Sequence, residues 1–298
     1  MMFLLKDRTI IEISGLDRQE FLQGLITNDI KLATSKNMIY SAFLNGAGRF
    51  FVDFFIHEID EKYILDCHIF EADEIIKKLN LYKLRSQVEI KKNQNLSVIF
   101  NIESLGFVDP RAKDFGYRFY VDQEDLKNYE TQNLIFYHQR RINFKIPEGY
   151  YDLTKDKSYI FEFGFDNFNA ISYQKGCYVG QEATARNHYR GQLRKKIFLF
   201  EVKEVDENLR KNIEEKNDLS SLQFDGDGLK MANVKNHELL KDDKDCGLVL
   251  SSIFDGKTLR GLVLLKFDEV EDDKNISPKN SLANENIFLQ NNKILIID

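Results

Sequence analysis

Residues 8–14, RTIIEIS, alternate apolar and polar positions as a half-buried strand does, and residues 15–30, GLDRQEFLQGLITNDI, change to helical spacing. Asp17 stands where a helix N-cap would, Glu20 follows three positions on, and Phe21, Leu22, Leu25 and Ile26 make the apolar face. MIYSAFLNGAGRFFVDFFIHEI, 38–59, predicts two strands around a Gly-rich turn at 45–48, and YILDCHIF, 63–70, a third. Residues 71–84 predict a helix with Ile75, Ile76, Leu79 and Leu84 inward, and SQVEIKK and LSVIFNIE return to strand character. The order β-α-β-β-(β)-α-β points to an α+β antiparallel layer rather than a Rossmann sheet.

A second set follows, with GYRFYVD, 116–122, as strand and QNLIFYHQRRINFKI, 132–146, as an amphipathic helix that stops near Pro147. Residues 148–169 read as loop. KKIFLFEV, 195–202, begins a β-rich half in which CGLVLSSIF, LRGLVLLKF and KILIID are separated by charged turns, as in a small barrel or sandwich. The charged stretch 203–217 reads as a solvated excursion. Two domains are expected, residues 1–194 (α+β) and 195–298 (β).

Composition narrows the chemistry. The 298 residues are 43% hydrophobic and 30% charged, with a formal net charge of −6. That is enough apolar material for a sizeable core, and it offers no global positive field for nucleic acid. Anion contacts must therefore be local, and direct RNA binding is not expected. The N-terminus lacks a basic, apolar, small-residue leader, and no apolar run reaches spanning length, so a cytoplasmic protein without membrane contact is expected. The three cysteines, Cys67, Cys177 and Cys246, form no C-x-x-C pair, and the five histidines show no ligand spacing, so no metal site is expected.

Candidate chemistry concentrates in YQKGCYVGQEATARNHYRG, 173–191. Cys177 lies between Gly176 and Gly180, with Lys175 before it and Arg186, Arg190 and Arg194 after it. A folded loop could surround the sulfur with cations and favour thiolate, and the glycines would permit a sharp turn or a close ligand. The residues alone leave Cys177 open between an inert buried thiol and a reactive one. Gln181 and Glu182 open a predicted helix whose N-terminus favours the carboxylate. Their part is to hold the loop.

K-G-C-Y-V-G-Q-E, 175–182, resembles the signature of the YgfZ family of folate-binding proteins, which share a fold with the glycine cleavage T-protein. FLQGLITND (21–29), YSAFLNGAGR (40–49), YKLRSQVEI (82–90), DPR (109–111), RINFKIPEGYYDL (141–153) and GLVLSS (247–252) resemble family segments in family order. The resemblance implies two α+β subdomains around a central channel and a C-terminal β-barrel, with tetrahydrofolate or a one-carbon derivative as cofactor. By the same resemblance Glu162 stands where T-proteins carry the pterin-binding glutamate, and a carboxylate can accept a pterin's two adjacent N–H groups. Tyr40 and Tyr178 are candidates to contact a flat ring, Arg49 and Arg85 are further ligand candidates, and Arg186 and Arg190 suit an anionic glutamate tail.

The function implied is a folate-dependent accessory factor that assembles or repairs iron–sulfur clusters in client enzymes, including enzymes that modify transfer RNA. Cys177 would be the acting group and Lys175 would keep its thiolate ionised. The partners implied are iron–sulfur client or assembly proteins, and no defined enzymatic reaction follows. An aminomethyltransferase of the T-protein kind and a non-catalytic folate sensor are the competing expectations.

Overall fold

The computed structural model describes residues 1–190, 194–214, 230–232, 237–241, 244–266, 287–290 and 292–297. The chain opens with β1 (Met2–Leu4) and β2 (Arg8–Ser14), which enter different sheets. After the short helix α1 (Arg18–Gln23) come β3 (Ile39–Leu44), β4 (Phe50–Ile59) and β5 (Lys62–His68), then α2 (Ala72–Lys83) and β6 (Glu89–Asn93). These make a five-stranded antiparallel sheet in the order β3-β4-β5-β2-β6, with Ile75 and Leu79 of α2 packed in its apolar core. Next, β7 (Leu96–Asn101), β8 (Phe107–Val108) and β9 (Tyr117–Asp122) join β1 in a second sheet, β1-β7-β9-β8.

Helices α3 (Leu134–Asn143), α4 (Gly149–Asp152) and α5 (Gln181–Arg190) lead to the β-rich half. There β10 (Lys195–Val202), α6 (Glu207–Glu214), β11 (Lys230–Met231), β12 (Glu238–Lys241), β13 (Lys244–Phe254), β14 (Leu259–Lys266), β15 (Ile287–Leu289), β16 (Asn292–Lys293) and β17 (Leu295–Ile297) follow. The strands form an eight-stranded sheet curled into a near-closed barrel, β16-β15-β12-β13-β14-β10-β17, with β11 on β13. The expected α+β fold of two subdomains and a C-terminal barrel is what the chain adopts.

One apolar core joins the parts: Tyr40, Phe100, Tyr137, Phe165, Leu250 and Leu262 belong to a single cluster. A buried charge network runs beside it. The Arg8 guanidinium donates to Asp66 at 2.6 Å, and Arg118 bridges Asp66 at 3.1 Å and Asp109 at 2.9 Å. Arg111 donates to both Asp109 oxygens and, at 2.8 Å, to Glu148. Arg141 of α3 holds Asp152 of α4 at 2.8 Å and Ser251 of β13 at 2.6 Å. Five-stranded sheet, four-stranded sheet, helices and barrel are thus linked by charge-assisted bonds away from water. The D-P-R, R-I-N-F-K-I-P-E-G-Y-Y-D-L and G-L-V-L-S-S segments supply most of this wiring.

Several local expectations are corrected. Asp17 makes no capping bond to α1; its carboxylate accepts from the Gln87 backbone N–H at 2.6 Å and pins the turn before β6. Leu84 does not point inward: it is 89% exposed, with φ of 44° just past α2. The loop-like 148–169 contains α4 and a 3-10 turn, Ile160–Phe163. Of the supposed solvated excursion, 207–214 is α6, capped by Asp206 on the Leu209 N–H, and Leu209 and Ile213 insert into the barrel core. The i, i+4 spacing of those two residues was the signal the charges masked. Residues 215–217 lie outside the described residues.

His57 on β4 is fully buried, stacked at 4.6 Å on Tyr120 and 4.4 Å from Phe107, and neither ring nitrogen has a hydrogen-bond partner among the described residues. Burial lowers its pKa from 6.5 to about 4. As pH falls through that window the unfolded chain takes the proton first, so stability is lost by up to about 1.4 kcal/mol per pH unit from this group. His57→Phe is therefore expected to flatten the acid limb of a urea-stability against pH curve by about one proton. An unchanged limb would show that His57 is not buried neutral.

Candidate functional site

Lys175 joins the two halves of the site. Its residue is only 9% exposed, and its ammonium donates to the carbonyls of Gln23 at 2.7 Å, Ile26 at 2.7 Å and Asn28 at 2.9 Å. The turn after α1 leaves carbonyls without helical partners, and a cation is the group that satisfies them. Four further bonds run alongside: Val179 N–H to the Gly24 carbonyl, Ser172 N–H to the Thr27 carbonyl, Thr27 Oγ1 to the Ala170 carbonyl and Asn28 Nδ2 to the Asn169 carbonyl. The F-L-Q-G-L-I-T-N-D segment is thus a strap that clasps the cysteine loop. Burial pulls the Lys175 pKa down to about 8, against the favourable pull of Asp29. All three ammonium protons go to backbone oxygens, leaving none directed at Cys177.

Two glycines seat the loop on the β3–β4 turn. Gly180 has φ of 83°, and a Cβ there would lie 2.5 Å from the Asn45 carbonyl oxygen; Gly48 has φ of 74°, and its Cβ would lie 2.5 Å from that of Ala183. Gly176 faces open space. Gly180→Ala is accordingly expected to lower unfolding stability by about 2 kcal/mol or more, and Gly176→Ala by well under 1. Equal effects in urea unfolding would contradict this packing. Gln181 closes the turn by accepting the Tyr178 N–H at 3.1 Å, and Glu182 opens α5 as expected, exposed and paired with Arg186 at 2.8 Å.

Cys177 is free and exposed, with no hydrogen-bond partner among the described residues. Cys67 differs: burial drives its thiol pKa up and leaves it inert. Cys246 donates to the Leu239 carbonyl.

Beyond α5 lies an open cavity of about 760 Å³ between the β3–β4 turn, the 159–162 turn and the helix. It brings together Glu162, Glu182, Arg186 and Arg194 from the sequence reading with Tyr159 and Phe161. Tyr159 and Phe161 stack at 5.3 Å, and the Arg49 guanidinium lies 3.7 Å over Tyr159. The result is an aromatic wall with cations at its edge and two carboxylates, of which Glu182 is paired with Arg186. Glu162 is 17% exposed and held by Lys195 at 3.2 Å. Phe163 and Phe165 turn away into the core.

Other candidates lie elsewhere. Tyr40 is wholly buried, its hydroxyl on Asp53 and its ring against Phe55 and Phe165. Tyr178 is core with the Lys175 ammonium 4.9 Å over its ring. Arg85 is exposed on the turn after α2 and does not line the cavity. The Arg190 side chain lies outside the described residues. Tyr159 was missed by the sequence reading; the Y-x-F-E spacing at 159–162 was its signal. Among the described residues no three His, Cys, Asp or Glu side chains are placed to hold a metal ion.

No family model matches the chain. It is 30% identical over 222 residues to "Iron-sulfur cluster assembly factor IBA57 homolog, mitochondrial" of Mycosarcoma maydis, covering 64% of this chain and 54% of that protein. The protein so named in Neurospora crassa is 31% identical, covering 65% and 52%. The human iron-sulfur cluster assembly factor IBA57 is 29% identical, covering 66% and 65%. The chain thus spans about half the length of the fungal relatives it matches. The expected cytoplasmic location is overturned, because these relatives are named as mitochondrial. Among solved structures, glycine cleavage system aminomethyltransferase T from Bartonella henselae superposes with a TM-score of 0.61 at 13% identity, covering 89% of this chain and 78% of that one. The chain therefore has the T-protein fold and sequence similarity to iron–sulfur cluster assembly factors.

Proposed function

We propose that this protein is a tetrahydrofolate-binding accessory factor that assembles or repairs iron–sulfur clusters in client proteins, acting through Cys177. The named role of its relatives supports the cluster part. The observation that carries the folate part is the cavity, where Glu162, Arg186 and Arg194 share one space with the Tyr159–Phe161 wall. Its size suits a small ligand, and its residues fit a flat polar ring with an anionic tail.

Tetrahydrofolate, when bound, supplies a reduced pterin that can carry a one-carbon unit. Glu162 would accept the paired N–H groups of the ring, with Lys195 holding its carboxylate in place; Arg186 and Arg194 would draw the glutamate tail. Cys177, exposed on its clasped loop, is the group free to meet the iron or sulfur of a client's cluster. The finer YgfZ resemblance extends the clients to enzymes that modify transfer RNA. The aminomethyltransferase reading draws on the fold, and fold alone does not carry an activity.

The test is calorimetric titration, under anaerobic reducing conditions, with tetrahydrofolate and 5-formyl-tetrahydrofolate. Wild type should bind saturably, and Glu162→Ala should weaken binding at least tenfold, about 1.4 kcal/mol. Arg186→Ala should weaken it less and reduce its salt dependence. Absence of saturable heat from folded wild type would remove folate from this account.

A further inference from the structure

Three leucines are the most exposed large apolar side chains among the described residues: Leu84 at 89%, Leu16 at 82% and Leu81 at 73%. Singly such residues are ordinary, but the backbone ties of 15–17 to Gln87 put these on one corner, where α2 ends. Leu81 and Leu84 are three positions apart at the end of α2. Leu16 lies between Gly15, which abuts the Gln87 carbonyl, and Asp17, whose backbone and carboxylate both bond Gln87. Around the corner cations outnumber acids, with Asp17 bonded to the Gln87 N–H and Glu20 exposed on α1 as the acids. Lys77, Lys83 and Arg85 have no ion pair among the described residues, whereas the acids of α2 are taken, Asp73 by Lys92 and Glu74 by Lys155. In a chain of net charge −6, such unpaired cations around exposed leucines mark a partner of opposite charge.

The corner is continuous with the cysteine loop. Lys78, Leu79 and Tyr82 of α2 meet Val179, two residues past Cys177, in a narrow crevice. We propose that Leu16, Leu81 and Leu84, with Lys77, Lys83 and Arg85, dock an acidic segment bearing apolar side chains on the iron–sulfur protein that Cys177 serves. This rests on the reading of Cys177 given above. The leucines supply the desolvated centre and the cations the rim that steers and orients the partner. Arg85 thereby gains a role that the folate cavity does not give it.

The experiment compares Leu81→Glu/Leu84→Glu and Lys83→Glu/Arg85→Glu with wild type in cells lacking the protein, reading iron–sulfur enzyme activity. In parallel, a benzophenone side chain at position 81 captures whatever docks there. Both variants should fold and titrate folate as wild type does, because Leu81, Leu84 and Arg85 are exposed and Lys83 is half-buried with no ion pair among the described residues, yet restore less than a tenth of the activity. The captured partner should be an iron–sulfur protein, and changing acids to lysine at its crosslinked segment should restore activity to Lys83→Glu/Arg85→Glu. Wild-type activity in both variants, a crosslink only to a second copy of this chain, or no rescue by the charge exchange would each overturn the docking surface. Inactive Cys177→Ser beside fully active surface variants overturns docking alone. Fully active Cys177→Ser, with the position-81 crosslink lost in Lys83→Glu/Arg85→Glu, overturns the thiol reading alone.

Discussion

Arg111→Met is expected to lower stability at pH 7 by about 4 kcal/mol, a large part of the 5–15 kcal/mol typical of a folded protein. Arg111 is 2% exposed and holds Asp109 through both carboxylate oxygens, Glu148 at 2.8 Å and the Tyr137 hydroxyl at 3.0 Å. Methionine fills much of the space but leaves two buried carboxylates short of a cation. In the wild type, burial pushes both carboxyls up and the arginines overcome it: Asp109 is held below its usual range by Arg111 and Arg118, and Glu148 well below by Arg111, Arg141 and Arg8. Such depressed carboxylates contribute stability that is present above their unfolded values, 3.8 and 4.5, and is lost as pH falls through the folded ones. The gap between Arg111→Met and wild type should therefore narrow in acid. Urea unfolding at pH 7 and pH 4 measures both statements, and a difference under 1 kcal/mol at pH 7 would mean that the network does not hold the subdomains together.

The second large effect is local. Lys175→Met removes three charge-assisted bonds to the strap and leaves the Gln23, Ile26 and Asn28 carbonyls without that donor, which costs about 3 kcal/mol. The loop around Cys177 then keeps only the four neighbouring bonds to the strap. Cluster-related activity should fall as far as in Cys177→Ser, while the barrel keeps its wild-type protection from amide exchange. Lys175→Arg should not rescue, since a planar fork cannot direct three protons at three converging carbonyls. If Lys175→Met kept full activity, the ammonium would be holding nothing that the chemistry needs.

The strands at 8–14, 39–44 and 50–59 were legible from short runs rich in apolar, β-branched and aromatic residues bounded by turn signals, although 39–44 and most of 50–59 are buried on both faces rather than alternating in burial. The sequence also showed the turn at 45–48 and the helix after Gly180. The charged interior was not legible. Arg111, Arg118 and Arg141 look like surface residues in any one-dimensional pattern, and only three-dimensional pairing with Asp109, Asp66, Glu148 and Asp152 makes their burial tolerable.

The site divides in the same way. The motif located Cys177, Gly180 and Gln181, and the superfamily resemblance selected Glu162, which does line the cavity. Lys175 was read as the thiol's partner because the two are neighbours in sequence. Its side chain instead runs to a turn about 150 residues earlier, a pairing that sequence order conceals. Tyr40 looked available to a ring but is enclosed by Phe55 and Phe165. Arg85 was grouped with the ligand residues, and the structure puts it beside the exposed leucines.

The central claim is that the clasped loop presents Cys177 for work on iron–sulfur clusters. Its most direct test is iron–sulfur enzyme activity in cells that lack this protein and express either wild type or Cys177→Ser at equal levels. Cys177 is exposed and bonded to nothing described, so serine should leave the fold intact while activity drops below a tenth of wild type. Wild-type activity from Cys177→Ser would contradict the claim and make the exposed thiol incidental.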